Sequence, residues 1–174
     1  IREYDEKIPT DLTAEQILIR SSNIGSVKIA QKLGIEQFVL FLKKIGILEK
    51  KEFDIEEVEQ APILQWGKCK LATASFGHGI SNKLLQLAKG YSILTNGGYY
   101  IEPTLINKDN KKINQRKRIL KKEVSEKINP ILRKVVSTKE GTAGFANVLG
   151  YDVGGKTGTA DKAKFGGYSK DKIN

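Results

Sequence analysis

Methionine is absent from the 174 residues, and cysteine, histidine and tryptophan occur once each. A lone Cys69 can close no internal disulfide, so cysteine usage does not fix a redox compartment. Lys68 and Lys70 flank it and would favour a thiolate, but no second histidine or acidic motif accompanies it. Cys69 therefore reads as structural or incidental. His78 would need a nucleophile and an orienting partner to act as a base. The sequence nominates neither, and Phe76-Gly77-His78-Gly79 reads as a turn holding a structural histidine. No apolar run approaches the ~18 residues that span a bilayer, and no signal peptide opens the chain. The first residue is Ile1, which suggests that upstream sequence has been removed, so the missing leader does not locate the protein.

What is present suits one domain with a real core: 39% of residues are apolar and 29% charged. The net charge is +10, of which +7 falls between Lys108 and Lys122. That window holds Lys108, Lys111, Lys112, Arg116, Lys117, Arg118, Lys121 and Lys122 against Asp109 alone. Such a block would attract an anionic surface or nucleic acid. No aromatic residue interleaves the charges as a base-stacking platform requires, which favours a solvated loop.

Helices dominate the pattern, with a few strands. Thr13 and Gln16 have capping-box spacing ahead of Ile17, Leu18 and Ile19. Arg20-Ser21-Ser22-Asn23 interrupts that run. A second helix follows from about Ile24 to Leu33, with Ile24, Val27, Ile29 and Ala30 as its stripe and Gly34 as its cap. A third spans Ile35 to Ile45. Lys50 to Gln60 reads as an exposed connection, and Trp66 as a packing anchor. Leu84, Leu87, Ala88 and Tyr91 fall on one face of a helix ending at Asn96-Gly97-Gly98. Tyr99 to Ile106 and Tyr151 to Lys156 read as strands. Asn129-Pro130 has the form of a cap with proline at the first helical position, ahead of Ile131, Leu132, Val135 and Val136. Gly141-Thr142-Ala143-Gly144 is a turn. The fold class is α+β, and no internal repeat is visible.

Two short patterns carry chemistry. Lys156-Thr157-Gly158-Thr159 puts a cation and two hydroxyls on one extended segment, with glycine allowing another backbone to come close. A lysine and hydroxyls suit a carboxylate. Ser21-Ser22-Asn23 sets a hydroxyl and a carboxamide two residues apart before a helix, where either a proton relay or an N-cap is served. Alone, each pattern is weak.

Together they are the S-x-N and K-T-G members of the set S-x-x-K, S-x-N, K-T-G found in β-lactamases and penicillin-binding proteins, in the right order. Ser21-Ser22-Asn23-Ile24-Gly25, Phe76-Gly77-His78-Gly79-Ile80, Leu85-Gln86-Leu87-Ala88, Leu94-Thr95-Asn96-Gly97-Gly98 and Gly141-Thr142-Ala143 strengthen the resemblance. Through most of its length the chain resembles the transpeptidase domain of class B penicillin-binding proteins, the monofunctional, division-type D,D-transpeptidases of peptidoglycan.

The resemblance implies a partial penicillin-binding-protein/β-lactamase-like domain over 1–174, a helical region with part of an antiparallel sheet. It implies an acyl-serine route in which the S-x-x-K serine attacks a stem peptide and a second stem's amine resolves the acyl-enzyme. Ser21 would shuttle the proton to the leaving group. Asn23 would bind the acyl side-chain amide and hold the catalytic lysine. Lys156 would supply positive potential, and Thr157, Gly158 and Thr159 would bind the substrate's carboxylate end. The Thr159 backbone N–H would be one oxyanion donor. Implied partners are peptidoglycan stem peptides, β-lactam antibiotics and, through a longer parent, cell-division membrane proteins. No metal, no organic cofactor and no nucleic acid is implied. The implied setting is the bacterial inner membrane, reached by an anchor outside this sequence, with this domain periplasmic.

The sequence departs from the family at three points. No S-x-x-K stands upstream of Ser21, and Ser169-Lys170-Asp171-Lys172 is in the wrong order and setting. The strand expected after the K-T-G loop falls beyond Asn174. Ser81-Asn82-Lys83 replaces the usual Thr-Pro turn. Two other readings compete. Without the nucleophile, the chain reads as a non-catalytic binder of stem peptides or division partners. Helix, Gly34 turn, helix also suits a basic helix-turn-helix module, though Phe38-Val39-Leu40-Phe41-Leu42 is too apolar for a groove.

Overall fold

A computed structural model describes residues 1–3, 5–48, 65–80, 82–103, 117–164 and 167–173, with the backbone alone given from 160 onward. Among them are six α-helices: α1 Ala14–Ile19, α2 Asn23–Leu33, α3 Ile35–Lys44, α4 Lys68–Ala74, α5 Leu84–Thr95 and α6 Lys122–Ser137. One antiparallel hairpin joins β1 Ala160–Lys164 to β2 Gly167–Ile173, with a register shift between Asp161 and Ala163. The chain separates into two compact units. The first contains 1–32, 67–80 and 130–174, and the second 33–66 and 81–129.

In the first unit, α1 starts as the capping box predicts. The Thr13 hydroxyl accepts from the Gln16 N–H at 3.2 Å, and Gln16 Oε1 accepts from the Thr13 N–H at 2.9 Å. Two of the four N–H groups left over at any helix start are thereby satisfied. Ile19 from α1 packs with Val135 and Val136 from α6 and with Ala143, and Ile131, Ala146 and Val153 close around them. Gly141 is obligatory where the chain folds back over α6, because a Cβ there would lie 2.2 Å from the Val135 carbonyl oxygen. The turn is held by Gly141 N–H donating to Thr138 and Ala143 N–H to Val135. Gly155 N–H then donates to the Leu132 carbonyl, and Arg133 donates to the Val153 carbonyl and to Asn147 Oδ1. These bonds lay residues 152–155 along α6 just before the Lys156 segment.

In the second unit, Ile45, Ile47, Ile93 and Leu120 form the core, lined by Leu42, Leu48, Leu94, Tyr100 and Ile119. Trp66 packs edge-on to Phe38 with ring centroids 5.9 Å apart, the anchoring role its sequence context suggested. Arg118 lies over the Tyr99 ring, its guanidinium carbon 4.3 Å from the centroid, so one of the clustered cations does meet an aromatic. Lys122 pairs with Glu126 at 2.8 Å. Lys108, Lys111, Lys112 and Arg116 lie outside the described residues, as do Lys50 to Gln60.

Four expectations need correction. Pro130 does not open a helix; it lies inside α6, which starts eight residues earlier at Lys122. The Asn129 amide, rather than capping, donates to the Thr95 carbonyl at 3.0 Å. Tyr99 makes only an isolated bridge to Arg118, residues 101–103 are not strand, and 104–106 fall outside the described residues. Residues 151–156 form no strand: Asp152, the Val153 carbonyl and the Gly155 N–H turn to α6, and regular pairing starts only at Ala160. Finally, α5 buries Lys89, Gly90 and Ile93, whereas Leu84 is 87% exposed. The apolar period marks this helix but not its inward face, because Gly90 lets Ile47 approach. A Cβ at 90 would meet Ile47 Cδ1 at 3.2 Å.

Candidate active site

The S-x-N segment is shaped by the end of α1. Ser22 N–H donates to the Ile17 carbonyl and Ser21 N–H to the Leu18 carbonyl, the paired bonds of a Schellman cap. Ser21 takes the left-handed position at φ 57°, the place glycine usually holds. For an L-residue that conformation costs on the order of 1–2 kcal/mol. Arg20, just before it, is anchored to the Lys7 carbonyl at 3.3 Å, to Asp5 at 3.9 Å and to Glu140 at 3.6 Å.

After Ser21, helix α2 starts at Asn23, and its cap is Ser22, neither Ser21 nor Asn23. The Ser22 hydroxyl, 2% exposed as a residue, accepts from Gly25 N–H at 2.9 Å and donates to Glu3 Oε1 at 2.6 Å. Glu3 also accepts from Asn23 N–H at 2.8 Å and from Ile24 N–H at 3.3 Å. The two side chains singled out in the sequence are thus spared from capping. Asn23 uses its amide to donate to the Arg2 carbonyl at 3.1 Å.

The distant Lys156 closes onto this turn. Its Nζ donates to the Ser21 hydroxyl at 2.7 Å, across 135 residues, and to the Thr157 carbonyl and Thr157 Oγ1 at 3.2 Å each. Three acceptors match the three N–H groups of an ammonium. Burial pushes the Lys156 pKa below its ordinary value of 10.5, since removal from water penalises the charged form. Ser21 thus faces an amine eased towards giving up a proton. The Thr157 hydroxyl lies 2.9 Å from the Thr142 hydroxyl, extending the polar chain from Ser21 through Lys156 and Thr157 to Thr142.

Gly158 and Thr159 are exposed, and among the described residues nothing lies within 4 Å of where a Cβ at 158 would stand. The geometry thus brings together Ser21, Lys156 and Thr157, sets Asn23 two residues from Ser21, and leaves Gly158 and Thr159 open. Sequence reasoning passed over Thr142, Arg20 and Glu3. Thr142 stands in the sequence as a turn residue and as part of the Gly141-Thr142-Ala143 resemblance, without a role at the site, and no local pattern links Glu3 to a helix twenty residues away.

The other candidates lie outside this constellation. His78 stands between Gly77 and Gly79, both at positive φ, with its ring 5.3 Å from Phe76. Its buried Nδ1 has no hydrogen-bond partner among the described residues, which does not suit an oriented base. Cys69 is free and exposed. Ser169 to Lys172 lie in β2, not at a helix start.

Residues 1–174 match the family described as the penicillin binding protein transpeptidase domain. The chain belongs to the penicillin-binding protein transpeptidase family. It is 33% identical over 173 residues to a probable peptidoglycan D,D-transpeptidase PenA of Neisseria meningitidis, covering 97% of this chain and 29% of that protein. It is likewise 33% identical to the stage V sporulation protein D of Bacillus subtilis, covering 88% of this chain and 25% of that one. Among solved structures, the transpeptidase domain of Burkholderia pseudomallei penicillin-binding protein 3 superposes with a TM-score of 0.82 at 30% identity, over 91% of this chain and 48% of that one. The chain therefore spans between a quarter and a third of these curated relatives. A Mycobacterium tuberculosis penicillin-binding protein 3, complexed with aztreonam, shares the fold with a TM-score of 0.83 at 24% identity, over 98% of this chain and 42% of that one. Among the described residues no helix is long and apolar enough to cross a membrane.

Proposed function

We propose that this transpeptidase-family chain supplies the S-x-N and K-T-G half of a D,D-transpeptidase site that cross-links peptidoglycan stem peptides through an acyl-serine. The nucleophilic serine and its base lie on a segment outside this sequence. The observation that carries the reading is the 2.7 Å bond from Lys156 to Ser21, joining the two motifs across 135 residues. Names of relatives such as PenA support the reaction class.

On this reading Ser21 passes the proton to the leaving amine, exchanging it with the partly desolvated Lys156. Asn23 takes the amide of the acyl side chain. Thr157 and Thr159 receive the terminal carboxylate under the positive potential of Lys156, and Thr159 N–H donates to the oxyanion. Open space beside Gly158 lets an extended stem peptide or a β-lactam lie against the backbone. No metal or organic cofactor enters this scheme. The parent is a cell-wall enzyme held at the bacterial inner membrane, with this domain on the periplasmic side.

The test is acylation by penicillin, read by intact mass. The 174-residue chain alone is expected to form no adduct, whereas the gene's full reading frame, carrying S-x-x-K, gains one penicillin per protein. In that full protein Lys156→Ala is expected to slow acylation by roughly 10²–10³, as for loss of a preorganised electrostatic contact. A stoichiometric adduct on the chain alone, or acylation unchanged in Lys156→Ala, sinks the proposal. A full protein that binds stem peptide without acylation would instead be a non-catalytic binder.

A further inference from the structure

We infer that Glu3 is a positioning residue for the Ser21–Lys156 pair, an inference that rests on the site reading above. A helix start leaves four N–H groups without intrahelical partners, and at α2 all four can be traced. Ser22 N–H goes back to the Ile17 carbonyl, and Gly25 N–H to the Ser22 hydroxyl. The remaining two, Asn23 and Ile24, both go to the Glu3 carboxylate, which also accepts the Ser22 hydroxyl proton. One side chain from the N-terminal segment thus completes a cap that local sequence would otherwise assign to Ser21 or Asn23.

That assignment matters because Ser21 has a different task. Its hydroxyl accepts from Lys156, and it can do so only while its backbone stays in the left-handed position between two helices. Arg20 pins the near side of that turn through Asp5, Lys7 and Glu140, and Glu3 pins the far side. Without Glu3, the Asn23 and Ile24 amides and the Ser22 hydroxyl lose their shared acceptor, and the far side of the turn that holds Ser21 against Lys156 loosens. The carboxylate is needed rather than an amide. Glutamine would turn an NH2 group towards N–H donors and remove the negative charge that a helix N-terminus favours.

The experiment is an NMR titration of the Lys156 side chain in the full 174-residue chain. It compares wild type, Ser21→Gly, Glu3→Gln and the double variant, with Glu6→Gln as a surface-charge control. Ser21→Gly keeps the turn, removes the acceptor that favours ammonium, and is expected to lower the Lys156 midpoint. Glu3→Gln is expected to lower it too, and to add nothing in the Ser21→Gly background, because both act through one hydrogen bond. A midpoint unmoved by Glu3→Gln overturns the role. So does a shift that adds in full on Ser21→Gly, which would be a through-space charge effect. A midpoint unmoved by Ser21→Gly sinks the Ser21–Lys156 pair and the Glu3 role with it. Should Glu3→Gln unfold, Glu3→Asp, charged but shorter, is expected to lower the midpoint by less, and parity with wild type overturns the role.

Discussion

At the scale of single residues, Lys156 combines burial with three acceptors, and the burial has a consequence for stability. Its folded-state pKa lies below the 10.5 of an unperturbed lysine, so between the two values the unfolded chain holds the proton more tightly. The sign of linkage then makes the Lys156 contribution to stability rise with pH across that window and level off above 10.5. Urea melts at a series of alkaline pH values should show this increment in wild type and not in Lys156→Met. A difference between the two proteins that stays flat with pH would contradict it. Ser21, Asn23 and Lys156 stand out in the sequence only through the S-x-N and K-T-G patterns taken together, and the structure brings Ser21 and Lys156 to 2.7 Å. The left-handed backbone at Ser21 and the carboxylate of Glu3 are not legible there, because both are set by contacts from elsewhere in the chain.

Among the elements, the junction of α1 and α2 is the one on which the site depends. Gly25 permits it, since a Cβ there would lie 2.6 Å from Ile17 Cγ1 and 2.9 Å from the Ser22 hydroxyl. Gly25→Ala gains roughly 1 kcal/mol of helix propensity and loses about 1–3 kcal/mol to overpacking. Net destabilisation of about 1 kcal/mol is expected in chemical denaturation, and a stabilised variant would contradict the packing. Helix boundaries came from the sequence with fair accuracy wherever a cap marked them, as at Thr13. They failed at α6 because Pro130 is tolerated in the interior of a helix nucleated upstream. The facing of α2 was half right for a related reason. Val27 and Ala30 are buried as the stripe suggested, but Ile24 and Ile29 are about two-fifths exposed, and Gly25 takes the inward place. Apolar period reports that a helix has a buried side; small residues, which carry little hydrophobic signal, decide where neighbours come closest.

For the whole molecule, the two units have separate cores, so a core deletion should be felt unit by unit. Ile93 is fully buried in the second unit. Ile93→Ala should cost about 2–5 kcal/mol of that unit's stability. Hydrogen exchange should then accelerate first at residues 33–48 and 84–95, with slower change around Val135. Uniform acceleration across both cores would show a single cooperative block. The first unit is also discontinuous in sequence: it takes residues 1–32, then 67–80, then 130–174. Ser21 is therefore translated before Lys156, and their pairing, 135 positions apart, must wait until everything between them has been made. Contacts so far apart bear a large loop-closure entropy and form late in folding. During synthesis on the ribosome, the turn at Ser21 is thus made before the lysine that bonds to it.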